Sequence, residues 1–309
     1  MIATINHDSE VINRALIIRA ALFMLLSALC FSLIEITGEH FVTGVSPFEV
    51  VWMRYAVHLA FMLIVLAPCY KTTLVRTNRP VLHILRSLTM LGMPVFFVLA
   101  ATKMPINDVW SLQWLSPLLM LGLSQLILHE SANGRQWVIA GLGFVGMSLI
   151  LHIDKGVLSP YSIFAIGVGV CLALHLTLSR VLRSDHPLTS LFHTALWVFI
   201  ALGFFMPFIW VFPSKLSLVG LVIIGFIGVL GLYALARSSE LIPIPIVASF
   251  AYVEGLWTLL INAILFGMLP GKSALVGAAT ILAITIYHFV AEYRSHSLEP
   301  ATLQTKFQT

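Results

Sequence analysis

Two charged side chains stand inside apolar runs of this sequence. Glu254 lies in SFAYVEGLWTLL, and Arg86 begins RSLTMLGMPVFF. An ionisable side chain in lipid costs about 2.5–3.5 kcal/mol unless it faces protein or water, so both are candidates for substrate binding or ion coupling. Glu254 can bind a proton, attract a cation, or pair with Arg86 or His175. Arg86 can neutralise an anionic substrate group, form an inner gate or anchor helices.

Aromatic and amide side chains accompany these charges. Gln113 and Trp114 lie in DVWSLQWLSP, and Tyr252 and Trp257 flank Glu254. Aromatic rings beside an amide suit a planar or cationic ligand. We therefore predict that these four side chains shape a substrate pocket around the charged residues.

Three further residues are candidates for gates or ion pairs. Glu35 lies late in the first apolar run and Arg54 early in the second, so at the helical rise both would sit roughly 10 Å below the outer membrane surface. They are predicted either to pair or to form an external gate or substrate contact. His175 would reach about the depth of Arg86, although a lone histidine is more often a hydrogen-bonded core residue.

The composition indicates a membrane protein. Of 309 residues, 59% are hydrophobic and 10% charged, with a mean hydropathy of +0.99, whereas soluble domains are about 25% charged. A helix of about 20 apolar residues spans a bilayer, and proline, glycine and charge divide this chain into ten such segments. Their predicted bounds are 17–38, 47–68, 80–102, 105–128, 135–152, 159–181, 188–211, 216–238, 244–268 and 272–292.

The basic residues of the short connections predict the orientation. With a cytoplasmic N-terminus, the arginines of the loops fall inside, and only Lys103, Lys155, Lys215 and Lys272 fall outside. This is the bias that the positive-inside rule requires, and it places both termini in the cytoplasm. A count of nine spans would need a weak segment, such as 135–152, to be re-entrant.

Ten spans divide into five plus five, so the second half would enter the membrane in the opposite sense, as is typical of transporters. The stretch LQWLSPLLMLGLSQLIL (112–128) resembles SFAYVEGLWTLLINAIL (249–265). We predict an all-α polytopic membrane protein with a first five-helix repeat at 1–152, a second, inverted repeat at 153–294 and a flexible cytoplasmic tail at 295–309.

Motifs for other classes of function are missing from the sequence. Cys30, Cys69 and Cys171 have no metal-ligand spacing, and there is no Walker loop, G-x-S-x-G elbow, H-E-x-x-H pair or basic patch for nucleic acid. We expect no metal, cofactor or catalytic residue. The alternatives to a transporter are a membrane-embedded enzyme that acts on lipid head groups and a non-transporting membrane subunit.

Two long stretches resemble a known family. The stretch 86–130 resembles the drug/metabolite transporter superfamily, EamA type, in its initial arginine, proline turn, Pro-Leu pair and terminal acid, and 233–270 is similar to that family's second half. The resemblance is carried by Arg86, Pro105, Asp108, Pro117, Leu118, Glu130, Phe250, Tyr252, Trp257, Gly267 and Pro270. Met268 departs from the pattern, which usually has an acid there.

The resemblance implies a secondary transporter of the cell inner membrane, with ten helices, cytoplasmic termini, a central cavity between the repeats and alternating access. Family members move small polar metabolites and drugs, including amino acids, amines and nucleotide-linked molecules, and one subgroup imports S-adenosylmethionine. The expected partners are the substrate, the lipid bilayer and either a proton or an exchanged counter-substrate. A monomer or a homodimer fits the family, and no nucleic acid is expected to bind.

Overall fold

The computed structural model describes residues 14–153 and 155–295, and within them it contains helices and no β-strand. Ten helical segments follow one another when interrupted helices are counted as one. They are α1 (Arg14–Phe41), α2 (Pro47–Leu74), α3 (Pro80–Ala101), α4 (Ile106–Leu128), α5 (Gly134–Leu151), α6 (Ser162–Val181), α7 (Pro187–Gly203), α8 (Lys215–Leu241), α9 (Ile244–Phe266) and α10 (Lys272–Ser295). The predicted all-helical fold is confirmed.

Nine of these segments, within the described part of the chain, are long and apolar enough to cross a membrane. The tenth, α7, has 17 residues. The predicted segment 188–211 was wrong at its C-terminal end, because α7 stops at Gly203 and a separate turn, Met206–Ile209, follows. Pro207 accounts for the break, since proline has no N–H to donate to the carbonyl of Gly203, four residues earlier, and its ring crowds that carbonyl.

The segment that we considered for a re-entrant loop is one uninterrupted helix, α5. It begins with a capping box: the Asn133 side chain accepts a hydrogen bond from the Gln136 N–H (2.9 Å), and the Gln136 side chain accepts one from the Asn133 N–H (3.0 Å). These two bonds satisfy backbone donors that the first turn of a helix would otherwise leave without partners.

The bundle is organised by helix pairs from opposite halves of the chain. The most extensive contacts are those of α1 with α8, of α3 with α6, and of α5 with α10. Helix α8 also packs on α2, and α3 on α7, while α9 lies against α1 and α4 against α6. Because each half supplies the other half's packing surface, neither half buries its apolar helix faces alone.

Two helices are broken near the middle of the bundle. Helix α4 is interrupted at Trp114–Leu115, and α9 starts with one α-turn (Ile244–Val247), continues as a 3₁₀ segment (Ala248–Tyr252) and becomes α-helical again at Val253. Irregular backbone at membrane depth is tolerated where protein or a cavity surrounds it. The candidate residues Gln113, Trp114, Tyr252 and Glu254 therefore lie at or next to irregular backbone.

The end of the bundle where α1 begins and α10 ends is called here the Arg-rich end. Asp185 connects its loops by hydrogen bonds. This carboxylate accepts hydrogen bonds from Thr77 Oγ1 (2.6 Å) and from His83 Nε2 (2.9 Å). Burial raises the pKa of Asp185, but the hydrogen bonds from Thr77 and His83, with the charges of His83 and Arg79, lower it below its usual value of 3.8. The ionised form is therefore favoured by folding, and this stabilisation is lost only as the pH falls through that lowered value.

Close backbone contact between α5 and α10 gives a first testable prediction. A Cβ atom at Gly277 would lie 2.4 Å from the carbonyl oxygen of Gly146, whereas one at Gly141, also in α5, would meet nothing within 4 Å. Gly277→Ala should force the helices apart and cost about 1–3 kcal/mol of unfolding free energy. Gly141→Ala should be neutral or stabilising, by up to about 1 kcal/mol.

The measurement is the thermal midpoint of each purified variant in the same detergent. Equal midpoints for Gly277→Ala and Gly141→Ala would show that the two helices separate without cost, which would contradict the packing described above.

Candidate functional site

Two carboxylates lie side by side between α1 and α9, and they are called here the acidic pair, Glu35 and Glu254. Ser32 Oγ of α1 donates to the backbone carbonyl of Glu254 (2.9 Å). Thr258 Oγ1 of α9 lies 3.0 Å from Ser32 Oγ and 3.3 Å from Glu35 Oε2. These hydroxyls hold the two helices in register, so that the charges of Glu35 and Glu254 act on each other.

The acidic pair has no basic partner among the described residues. Within the described chain, the Glu254 carboxylate is half-buried and makes no hydrogen bond or ion pair, and the Glu35 carboxylate accepts one hydrogen bond, from Thr258. Glu254 stands in the first turn of the α-helical part of α9, where the helix dipole favours a negative charge. Two like charges in an apolar bundle attract a cation, whether a proton or a ligand.

Arg54 does not neutralise the acidic pair, although a pair with Glu35 was predicted as one possibility. Its Nη2 donates to Tyr55 Oη (3.2 Å), and its guanidinium lies 4.8 Å from the centre of the Tyr55 ring. The arginine stem runs across Gly228 of α8, where a Cβ would come within 3.1 Å of Arg54 Cδ. The missing side chain at Gly228 thus lets Arg54 lie along α8 instead of reaching the Glu35 carboxylate.

Arg86 is fixed by neutral groups on two other helices. Its Nε donates to Ser179 Oγ of α6 (2.7 Å), and its Nη1 donates to the Ser190 carbonyl (2.9 Å) and to Thr194 Oγ1 (2.8 Å) of α7. Its side chain is 1% exposed. The possible pairing with Glu254 is absent from this structure, and Arg86 anchors α3 to α6 and α7.

His175 is buried beside Arg86 and is hydrogen-bonded. Its Nδ1 lies 3.3 Å from Thr89 Oγ1 and 3.3 Å from the Arg86 carbonyl oxygen. It forms no ion pair with Glu254. A gating role for His175 stays a prediction, since these bonds suit an ordinary core histidine equally well.

The four predicted pocket residues separate into two environments. Trp114 and Tyr252 pack together, with ring centroids 5.9 Å apart and side chains that are 7% and 0% exposed, and Tyr252 Oη donates to the Ala140 carbonyl (2.8 Å). Both rings are therefore part of the hydrophobic core next to the breaks of α4 and α9. Gln113 and Trp257 are half-buried, and neither side chain makes a hydrogen bond within the described chain. These two keep free polar groups for a ligand.

Sequence reasoning missed several polar residues of the interior. Ser32 and Thr258 carried no signal, because single hydroxyl residues are common in membrane helices. His58 lies in an apolar run, and both of its ring nitrogens are buried without a hydrogen-bond partner in the described chain. The signal that could have found it is its position one helical turn after Arg54.

The Arg-rich end is closed by an ion pair between α4 and α6. Arg180 Nε donates to Glu130 Oε1 (2.8 Å), and Glu130 Oε2 accepts the Ile244 N–H (2.8 Å) at the start of α9. Arg180 Nη1 also donates to the Glu240 carbonyl (2.5 Å) at the end of α8. Four helices therefore meet at this pair.

Removing this buried pair gives a second testable prediction. In Glu130→Ala, Arg180, which is 6% exposed, would lose the carboxylate to which it is hydrogen-bonded, and the unfolding free energy should fall by about 3–5 kcal/mol. The control is Arg79→Ala, because Arg79 is an exposed arginine at the same end whose side chain donates to the Val181 carbonyl (3.1 Å). That change should cost about 1 kcal/mol or less.

Thermal unfolding in detergent compares the two variants. A loss in Glu130→Ala no larger than that in Arg79→Ala would mean that the Arg180 pair does not hold the four helix ends together.

The long apolar helices of this bundle, with charged side chains in its interior, are the arrangement of a multi-pass membrane protein. Comparison with known families agrees, since residues 18–152 match the EamA-like transporter family. The relationship to drug/metabolite transporters that the sequence predicted is thereby confirmed. The comparisons indicate a membrane transport protein for small metabolites and not an enzyme.

Individual relatives extend the similarity over most of the chain. The chain is 25% identical over 280 residues to the S-adenosylmethionine uptake transporter of Rickettsia prowazekii (strain Madrid E), covering 89% of this chain and 94% of that protein. It is 24% identical to the protein of the same name from Rickettsia conorii (strain ATCC VR-613 / Malish 7), covering 88% and 93%. A protein of known crystal structure has the same fold, with a TM-score of 0.78 and 16% identity over 90% of this chain and 99% of that one.

Proposed function

We propose that this protein is a secondary transporter of the cytoplasmic (inner) membrane that carries a cationic metabolite of the S-adenosylmethionine type by alternating access. The observation that carries this proposal is the acidic pair without a basic partner. Ten membrane spans form two inverted repeats, at 1–152 and 153–294, and both termini are cytoplasmic. The tail at 295–309 lies outside the described residues apart from Ser295.

The pattern of helix packing supports the inverted repeats. If every helix number is shifted by five, the contact of α1 with α8 becomes that of α6 with α3, and α2 with α8 becomes α7 with α3. The contact of α1 with α9 becomes that of α6 with α4, and the α5–α10 and α2–α7 contacts map onto themselves. A two-fold relation between the halves produces such a pattern.

Local backbone supports the same division. Helix α4 and helix α9 occupy equivalent places in the two repeats, and both are broken. Each is preceded by a proline of similar conformation, with φ −56° and ψ 138° at Pro105 and φ −55° and ψ 143° at Pro243. Discontinuous helices whose ends point into a binding site are typical of such transporters.

Loop charge supports the orientation. Arg76, Arg79 and Arg183 lie at the Arg-rich end, while Lys103, at the end of α3, lies at the opposite end of the bundle. The positive-inside rule then assigns the Arg-rich end to the cytoplasm. The buried Glu130–Arg180 pair seals that side, so that access to the acidic pair is from the other side in this conformation.

The chemistry of the acidic pair supports a cationic substrate. A sulfonium or ammonium group is attracted by the carboxylates of Glu35 and Glu254, and a sulfonium centre also interacts with the face of an aromatic ring. Trp257 lies one turn after Glu254 on α9, and Gln113 of α4 supplies an amide for a planar base. The Rickettsia relatives, whose name specifies S-adenosylmethionine, support the same substrate class.

The acidic pair also supports the coupling of substrate transport to the movement of a proton or of a second cation. A proton and a cationic substrate compete for one place between the two carboxylates, so binding of one releases the other. Transport would then depend on a proton gradient, or exchange one cation for another when a counter-substrate is present on the far side.

Neutralising one carboxylate gives the third testable prediction. In proteoliposomes, Glu254→Gln should raise the KM for labelled S-adenosylmethionine about 10- to 100-fold, because a contact with a charged group contributes about 1.5–3 kcal/mol. Uptake by this variant should no longer respond to an imposed pH gradient. Glu39→Gln is the matched control, since Glu39 is exposed one turn beyond Glu35, and it should transport like the wild type.

Two results would contradict this proposal, one by excluding the acidic pair from the transport site and the other by excluding transport itself. Wild-type KM and wild-type pH response in Glu254→Gln would remove the acidic pair from the transport site. A metabolite panel that gives no uptake by the wild type, with or without a pH gradient or an internal counter-substrate, would favour the non-transporting subunit.

A further inference from the structure

The interior holds a second group of charges that the acidic pair does not use. Arg54 has five N–H donors, and one of them makes a hydrogen bond, to Tyr55 Oη. Arg54 Nε is buried without a partner, and so are both ring nitrogens of His58, whose side chain is 0% exposed. Residues 54 and 58 lie one turn apart on the same face of α2, so their unused polar atoms face the same region.

No carboxylate neutralises this group in the described chain. Arg54 forms no ion pair, and the positive charge of Arg86 acts on His58 together with that of Arg54. Two guanidinium groups thus stand near one buried histidine. Arginine inside a membrane bundle is otherwise paired with an acid or with backbone carbonyls, as Arg86 is. Arg54 differs from Arg86 in that its Nε makes no hydrogen bond.

Arg54 lies at the level of the acidic pair. The position of a Cβ on Gly228 would be 3.1 Å from Arg54 Cδ and 3.8 Å from Ile34 Cδ1, and Ile34 immediately precedes Glu35. Opposite charges therefore occupy one layer of the bundle, at neighbouring faces of α1, without pairing. A ligand that carries both signs of charge would satisfy both groups at once.

We infer that Arg54 binds the carboxylate of an α-amino acid type of substrate, with His58 beside it, while the acidic pair binds the substrate's cationic group. This inference rests on the proposed transport function and assigns a specificity residue within the same site. Arg86 is unsuited to this role because three of its hydrogen bonds are already made to Ser179, Ser190 and Thr194.

The fourth testable prediction compares ligands that differ only in the carboxylate. The ligand pairs are S-adenosylmethionine with its decarboxylated form, and methionine with 3-methylthiopropylamine. Binding is measured by thermal shift of purified protein and by competition for uptake in proteoliposomes. The wild type should prefer the carboxylate member about 10- to 100-fold, in line with a hydrogen-bonded charge contact. Arg54→Gln should abolish that preference, and Arg54→Lys should restore part of it.

Arg86→Gln is the comparison variant. It should lower the thermal midpoint without ligand, because it leaves buried acceptors unsatisfied, while the protein that remains folded keeps the carboxylate preference. Arg54→Gln should show the reverse, a midpoint near that of the wild type and a lost preference.

Two results would overturn the inference: a wild type that does not favour the carboxylate member of any pair, or an Arg54→Gln variant that still favours it. Failure of the proposed substrate is distinguishable. A wild type that ignores both adenosyl compounds, yet prefers methionine to its amine, would reject the S-adenosylmethionine type and retain the role of Arg54.

Discussion

The interior of this bundle offers almost no solvent to a charge, and this constraint governs the placement of every ionisable side chain. Arg180 has a carboxylate and a backbone carbonyl, and Arg86 has two hydroxyls and a backbone carbonyl. Where partners are present, the charge ties helices together. Where polar atoms of the charged group are left without partners, as at Glu254 and at Arg54 Nε, the molecule has interaction energy left for a ligand. Whether a charged side chain has partners therefore distinguishes a structural residue from a residue of the candidate site more clearly than its residue type does.

Small side chains make that distinction possible. Ser32 and Thr258 fix α1 against α9 without supplying charge, so the acidic pair stays close and uncompensated. Gly228 gives Arg54 a path along α8 and keeps it from the Glu35 carboxylate. A bulkier residue at any of these positions would change which charges meet. The site is therefore defined as much by small residues that place the charges as by the charges themselves.

The sequence predicted the helical segments well because hydropathy and proline or glycine punctuation are local properties. It also identified Glu254 as an unusual charge. It could not resolve whether Glu35 meets Arg54, because that depends on the rotation of α1 against α2 and α8, which apolar helices with weak periodicity do not encode. Trp114 and Tyr252 were expected at a pocket, but the breaks in α4 and α9 turn both rings into the core. Helix α7 ends at Gly203, which shows that Pro207 can end a helix even where the apolar sequence continues.

The 3₁₀ segment Ala248–Tyr252 ends two residues before Glu254, and its geometry has a mechanical consequence. A 3₁₀ helix advances about 120° and 2.0 Å per residue, while an α-helix advances about 100° and 1.5 Å. Rewinding these five residues as α-helix would turn the rest of α9 by roughly 100° and shorten it by about 2.5 Å. Such a screw motion would carry the Glu254 carboxylate away from Glu35 while the Arg-rich end stayed in place. The stretch that carries Glu254 thus also contains a 3₁₀ segment whose rewinding would change the direction in which the Glu254 side chain points.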